Sequence, residues 1–347
     1  MADVRPFRAL RYDQATAGPL ERLVAPPYDV ISPEQREDYL ARSPYNVVHL
    51  TLSDDEAVAG ETLASWRRNG VLVEEEPAFW ALSQEYVGPD AVRRVRNGLV
   101  GSLRVEPYET RAVLPHERTH RGPKEGRLRL LRATRTQLEP IFLLHHGPPV
   151  ELPDRPPELE VEGARLWRLD EDAGAGFADR QLLIADGHHR YETALAFHEE
   201  DGSEASAFMP VVLVSTQEEG LTIFPTHRVV DGFEREPPLD EVDAPPQDAL
   251  ERLPGGRAGF VVARNGTVGI VEGDADELDV AFLDRFGPRV VAYTPDADEA
   301  LAAGQAVLVR PPAVEQVFAV AERGEVMPQK STYFFPKLVS GLLFHPL

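Results

Sequence analysis

Cysteine is absent from the 347-residue chain. That removes disulfides, thiolate chemistry and cysteine zinc sites, so any metal must rely on oxygen or imidazole ligands. Lysine is almost absent as well. Of 36 basic residues only Lys124, Lys330 and Lys337 are lysines, which leaves 33 arginines. Either those three positions require the compact charge of an ammonium, or they are chance survivors in an arginine-rich sequence. Positive charge as a whole is scarce, since 36 basic residues face 58 acidic ones and the net charge is −22. Such a chain repels a phosphate backbone at long range, so no nucleic-acid partner is expected, and a small anion would need a local positive pocket. No apolar run nears membrane-spanning length, and MADVRPFRALRYDQ at the start lacks the apolar core of a signal peptide. The expectation is a soluble, cytoplasmic protein with no membrane partner. Internal repeats are also missing.

Hydrophobic residues make up 42% of the chain, so apolar burial is not limiting, and the length suggests two or three substructures. Ser32-Pro33-Glu34-Gln35 combines an N-cap, a proline at the first helical position and a capping-box glutamine, opening a helix to about Arg42. A second helix is expected from Asp55 to Asn69 with Gly70 behind it, and two period-two strands flank Gly88-Pro89-Asp90 as a hairpin. Lys124 to Leu138 reads as a helix and Pro140 to His145 as a buried strand. Proline-rich connectors at 147–163 and 232–248 suggest boundaries. FVVAR and TVGIV pair around Asn265-Gly266, RVVAY and AVLVR enclose a helix from Asp296 in a βαβ pattern, and a last helix runs from Ala313 to Arg323. The resulting division is a core over residues 1–231 carrying an inserted hairpin, a smaller α+β unit over 249–310, and a segment over 311–347 that returns to the core.

Residues 182–197, LLIADGHHRYETALAF, carry the strongest signal for chemistry. An apolar strand ends at Asp186-Gly187 and a helix begins with His188, His189 and Arg190, so donors and positive charge gather where the first unpaired N–H groups of a helix point outward. Such a volume suits a phosphate. A helix start bearing ordinary exposed polar residues is the alternative. Further His/Arg segments lie at His116 to Arg121 and at His227-Arg228. If they converge on Asp186, the result is a phosphate pocket with Glu117 as a carboxylate base and Asp186 as a magnesium ligand.

His116-Glu117-Arg118-Thr119-His120 also matches the H-E-x-x-H zinc pattern. Pro115 before it and Gly122-Pro123 after it leave no room for the long amphipathic helix that this chemistry needs. A loop delivering His116 and Glu117 is the simpler reading. Tyr28 and Asp29, behind two prolines, are held rigidly either as a presented polar pair or as a turn ahead of the Ser32 helix.

APPYDVIS, His116-Glu117-Arg118-Thr119, IADGHHRYETAL, FPTHRVV and GEVMPQKSTYFFPKLVSGLLF resemble, in this order, the prokaryotic family named domain of unknown function 1015. The Asp186-Gly187-His188-His189-Arg190 turn is also similar to the phosphate-contacting motif of the ParB and sulfiredoxin superfamily, which includes kinases of free serine. That resemblance implies a mixed α+β fold with a ParB/sulfiredoxin-like core. It further implies ATP or ADP and Mg2+ as cofactors and a small-molecule partner. Sulfiredoxin chemistry requires a cysteine and is excluded. DNA partition needs a helix-turn-helix and a basic surface, which the charge disfavours. What remains is a nucleotide-dependent phosphotransferase acting on a small hydroxyl-bearing metabolite such as serine, with a non-enzymatic nucleotide sensor as the alternative. In either case Gly187, His188, His189 and Arg190 would hold phosphates, and Arg228 or Lys330 would neutralise added charge. In the enzyme, His116, Glu117 and Asp186 would carry the chemistry.

Overall fold

The computed structural model describes residues 2–347 except 118–120, 171–172 and 276, with side chains described from residue 125 onward in the helix Arg121–Thr134. The fold is mixed α+β and is organised around two large sheets. The larger has nine strands among the described residues, and its main path runs 113–114, 182–186, 141–145, 208–215, 93–104, 79–87, 164–169 and 159–161, while Val4–Arg5 joins 93–104. The strands Phe79–Val87 and Arg93–Arg104 form the expected hairpin, yet they occupy the centre of the sheet and are not an insertion.

Alternation along the inner strands divides the core. Ile141 and Leu143 pack with Tyr191 and Ala194 of the helix His188–Asp201, whereas Phe142 and Leu144 face the opposite layer with Trp80 and Val212. One helix is thereby seated with its start at the end of the strand Leu182–Asp186. The helix expected from Lys124 to Leu138 begins earlier and stops at Thr134, because Thr136–Gln137 is drawn into a strand pair with His345–Pro346.

The second sheet has the order 240–241, 267–272, 259–264, 306–308, 227–233 and 288–294, with every pair antiparallel. His227–Phe233 thus belongs to this smaller sheet, which begins well upstream of residue 249. Pro288–Thr294 and Ala306–Leu308 both flank that strand, so the βαβ pattern is real but split by a strand from elsewhere in the chain. Asn265 and Gly266 make the tight turn of 259–272, both with positive φ. The chain then returns to the larger unit. Met327 donates to the His116 carbonyl at 2.8 Å, Tyr333–Phe335 pairs with Thr222–Phe224, and Ser340 exchanges backbone bonds with Ala25. Among the described residues no helix is long and apolar enough to cross a membrane.

Candidate functional site

The strand Leu182–Asp186 is buried until its last residue, and Gly187 then turns the chain into the helix. Gly187 has φ +103°, and a Cβ there would lie 2.5 Å from Ile141 Cγ2, so only glycine fits both the turn and the packing. The first backbone bond of the helix runs from Tyr191 N–H to Gly187 O at 2.9 Å, and no side chain caps its start. Positive dipole potential is therefore not offset by a capping group.

Asp186 lies between two cations. Arg190, one turn ahead, donates to Asp186 Oδ2 at 2.6 Å and also to the Pro140 carbonyl, while Lys337 Nζ donates to Asp186 Oδ1. Burial alone would raise the Asp186 carboxyl, but Lys337 and Arg190 outweigh it and hold the group well below the ordinary carboxylate range. Lys337 is raised in turn, its burial being overcome by Asp186. The stretch before it is fixed from beneath: the fully buried Arg96 donates to the carbonyls of Phe335 at 3.2 Å and Pro336 at 2.8 Å, and Gln84 Nε2 donates to the Lys337 carbonyl at 3.3 Å.

His188, expected at the phosphate, and His116, expected to carry the chemistry, are both turned inward. His116 Nδ1 lies 2.6 Å from the Ile184 carbonyl, which can only accept, so this nitrogen carries the proton and Nε2 accepts from Thr332 Oγ1 at 2.9 Å. The His116 backbone N–H donates to His188 Nε2 at 3.3 Å, and the rings meet edge to face with centroids 4.7 Å apart. Burial pushes His116 down to about 4 and His188 well below its ordinary value, so both are neutral at pH 7. His188 hence orients the loop that carries His116 and Glu117. His189 is partly buried, and its carbonyl accepts from Thr193 Oγ1 at 2.7 Å.

Glu117 follows on that loop, partly buried, and forms a bridge with Met327. Burial raises its carboxyl, opposed by the Lys330 ammonium and by a bond from the Lys330 backbone; Asp186 and Lys337 act on it as well. Lys330 itself is exposed, with φ +55°. Tyr28 and Asp29 reach the same region. Tyr28 N–H donates to Glu139 Oε1 at 3.3 Å, the Arg127 guanidinium lies 3.3 Å from the centre of the Tyr28 ring, and the exposed Asp29 acts on both Lys337 and Arg190. Beyond Tyr28 and Arg127 a cavity of about 470 Å³ opens, within the size range of small-molecule sites.

The loop at 116–117, the turn at 186–190 and the segment 327–337 are therefore brought together. Arg228 is placed elsewhere. It is buried in the smaller sheet, where it donates to the Thr226 carbonyl at 2.8 Å and lies over the Tyr293 ring, while its neighbour His227 accepts from Val309 N–H at 3.3 Å. Arg228 thus serves the smaller sheet and not the phosphate pocket. The assignment of Mg2+ to Asp186 does not fit either: both carboxylate oxygens are already held by Lys337 and Arg190, and the described residues contain no cluster of three potential ligands. His120 of the H-E-x-x-H match lies outside the described residues, and His116 directs both ring nitrogens into the protein. Lys337 was missed as a site residue. Its scarcity as a lysine was the available signal.

A family model described as protein of unknown function (DUF1015) matches residues 4–266. Comparison with curated proteins gives no match. Among solved structures, free serine kinase in complex with AMP is 18% identical, with 67% of this chain and 89% of that chain covered and a TM-score of 0.39. A conserved hypothetical protein from Pyrococcus furiosus is 17% identical over 64% and 87% of the two chains, with a TM-score of 0.36. SbnI with C-terminal truncation from Staphylococcus aureus is 13% identical over 69% and 84%, with a TM-score of 0.40. The AMP belongs to that complex.

Proposed function

The chain belongs to the DUF1015 family, and from that starting point we propose that the cleft formed by the loop at 116–117, the turn at 186–190 and the segment 327–337 binds a nucleotide and transfers a phosphoryl group to a small hydroxyl-bearing metabolite in the cytoplasm. The observation that carries this reading is the grouping of Glu117, Asp186, Lys337 and Lys330 around the uncapped start of the helix His188–Asp201. Phosphoryl transfer asks a protein chiefly for positioning and charge neutralisation, and this grouping offers both beside a base. The phosphates of ATP lie against the helix start and the Gly187 turn. Glu117 accepts the proton of the acceptor hydroxyl as its oxygen attacks the γ-phosphorus, the bond to the β–γ bridging oxygen breaks, and ADP and a phosphate monoester leave. A carboxyl raised by burial, beside the Lys330 ammonium, is suited to that role. No step is assigned to magnesium, since Asp186 is already compensated by two side chains.

The acceptor proposed is a free amino acid such as serine. Incubating the protein with ATP and a pooled set of hydroxyl-bearing metabolites, followed by mass analysis for an added phosphate, tests the reading. Turnover of one acceptor supports it; ADP binding without turnover of any member supports a sensor instead. The sensor reading is favoured by one observation: Lys337 ties the segment returning from the smaller unit to Asp186, so a ligand at that pair would act on both units.

A further inference from the structure

We propose that Lys337 is the side chain that meets the nucleotide phosphate, in the position expected of Arg228 or Lys330. The proposal rests on the nucleotide reading above and adds the recognition residue to it. Three features of the cleft support it. Arg190 is fixed in place, because its guanidinium is pinned between the partly buried Asp186 carboxylate and the Pro140 carbonyl. Lys330 is exposed and acts on Glu117, the proposed base, so its charge is engaged elsewhere in the reaction. Lys337 combines a partly buried ammonium with donor capacity beyond its bond to Asp186: an ammonium can donate three hydrogen bonds, and the Tyr333 ring lies 5.6 Å from Nζ.

The charges favour an anion at this point. Asp186 contributes one negative charge against the two positive charges of Arg190 and Lys337, which leaves one positive charge beside the uncapped helix start. His116 and His188 are neutral and add nothing, while Glu117 and Asp29 stand on the flanks as like charges that an incoming phosphate must avoid. A phosphate oxygen can thus take one of the free ammonium donors without breaking the contact to Asp186. The main chain under Lys337 is held by Arg96 and Gln84, so the ammonium is presented from a fixed base. The choice of lysine follows. A guanidinium is planar and delivers its donors in a rigid fork, whereas an ammonium shares one point charge between a carboxylate and a phosphate.

Calorimetric titration of the full chain with adenosine, AMP and ADP tests this, comparing wild type with K337Q and K337R. With K337Q, affinity for ADP should fall about tenfold to a hundredfold and affinity for adenosine should stay unchanged, AMP lying between them. K337R should show a smaller loss with the same dependence on phosphate number. If K337Q melts before titration, K337R, which retains a cation for Asp186, decides the matter by that dependence. Equal losses for adenosine and ADP would make Lys337 a support of the cleft and overturn the proposal, as would wild-type ADP affinity in K337Q. A wild-type protein that binds none of the three overturns the nucleotide reading itself.

Discussion

Replacing His116 with asparagine should flatten the acid sensitivity of this protein by a calculable amount. An unfolded histidine titrates near 6.5, whereas burial, only partly offset by the Ile184 carbonyl, pushes folded His116 down to about 4. Between those values the unfolded chain takes up a proton that the folded chain refuses, so the histidine's contribution to stability is complete above about 6.5 and is lost as pH falls. The slope approaches 1.36 kcal/mol per pH unit, and integrating from pH 7 to 5.5 gives a loss of about 1.2 kcal/mol for His116. His145, His227 and His345 are likewise buried and pushed to about 4. Together the four amount to roughly 5 kcal/mol, a large share of the 5–15 kcal/mol that stabilises a typical domain. Glu117 works in the opposite direction, since its raised carboxyl takes up a proton in the folded state first. A wild-type/variant difference cancels that term. Asparagine keeps an N–H donor for the Ile184 carbonyl and does not titrate. Urea unfolding at pH 7 and at pH 5.5 should show wild type losing about 1.2 kcal/mol more than H116N across the interval, even though the variant starts less stable. Equal losses in the two proteins would mean that His116 is not held neutral by the fold.

Other substitutions probe the cleft and its supports. Glu117→Gln should lower kcat about a hundredfold or more while ADP affinity stays within about twofold, because the base acts on the acceptor and not on the phosphates; steady-state kinetics beside calorimetry would separate the two. Gly187→Ala places a side chain at φ +103° and against Ile141, so a thermal melt should show a loss of about 2 kcal/mol or more. Arg96→Met strips the carbonyls of Phe335 and Pro336 and Gln84 Oε1 of their donor; stability should fall by about 2–4 kcal/mol, with ADP affinity dropping alongside as Lys337 loses its base.

Features written in neighbouring residues were legible before any coordinates. The capping box at Ser32 and Gln35, the helix start at Asp55, the Asn265-Gly266 turn and the Asp186-Gly187 break all appear as expected, because each is a short-range contest between backbone groups and nearby side chains. Contacts between distant segments were not. Lys337 and Asp186 are 151 residues apart, and no periodicity links them. Arg228 was grouped with the other His/Arg segments on composition alone, whereas strand pairing, which local sequence does not specify, assigns it to the smaller sheet. His188 illustrates a signal that was present but unused. Stepping back three residues from the buried Tyr191 reaches His188, so helical period alone puts this ring on the inward stripe.

The order in which the cleft's parts occur along the chain gives the Asp186–Arg190 pair a role during synthesis. Tyr28, His116 and Asp186 are all made before Lys337, and segments made first begin to fold first. A carboxylate entering a forming core without a cation would oppose its own burial. Arg190 follows Asp186 by one helical turn and is available as soon as that turn forms, so the carboxylate can be enclosed long before its distant partner exists. On this view the arginine is a placeholder that makes the strand–helix corner safe to bury. The lysine, arriving last, adds a second positive charge beside Asp186 once the returning segment has docked.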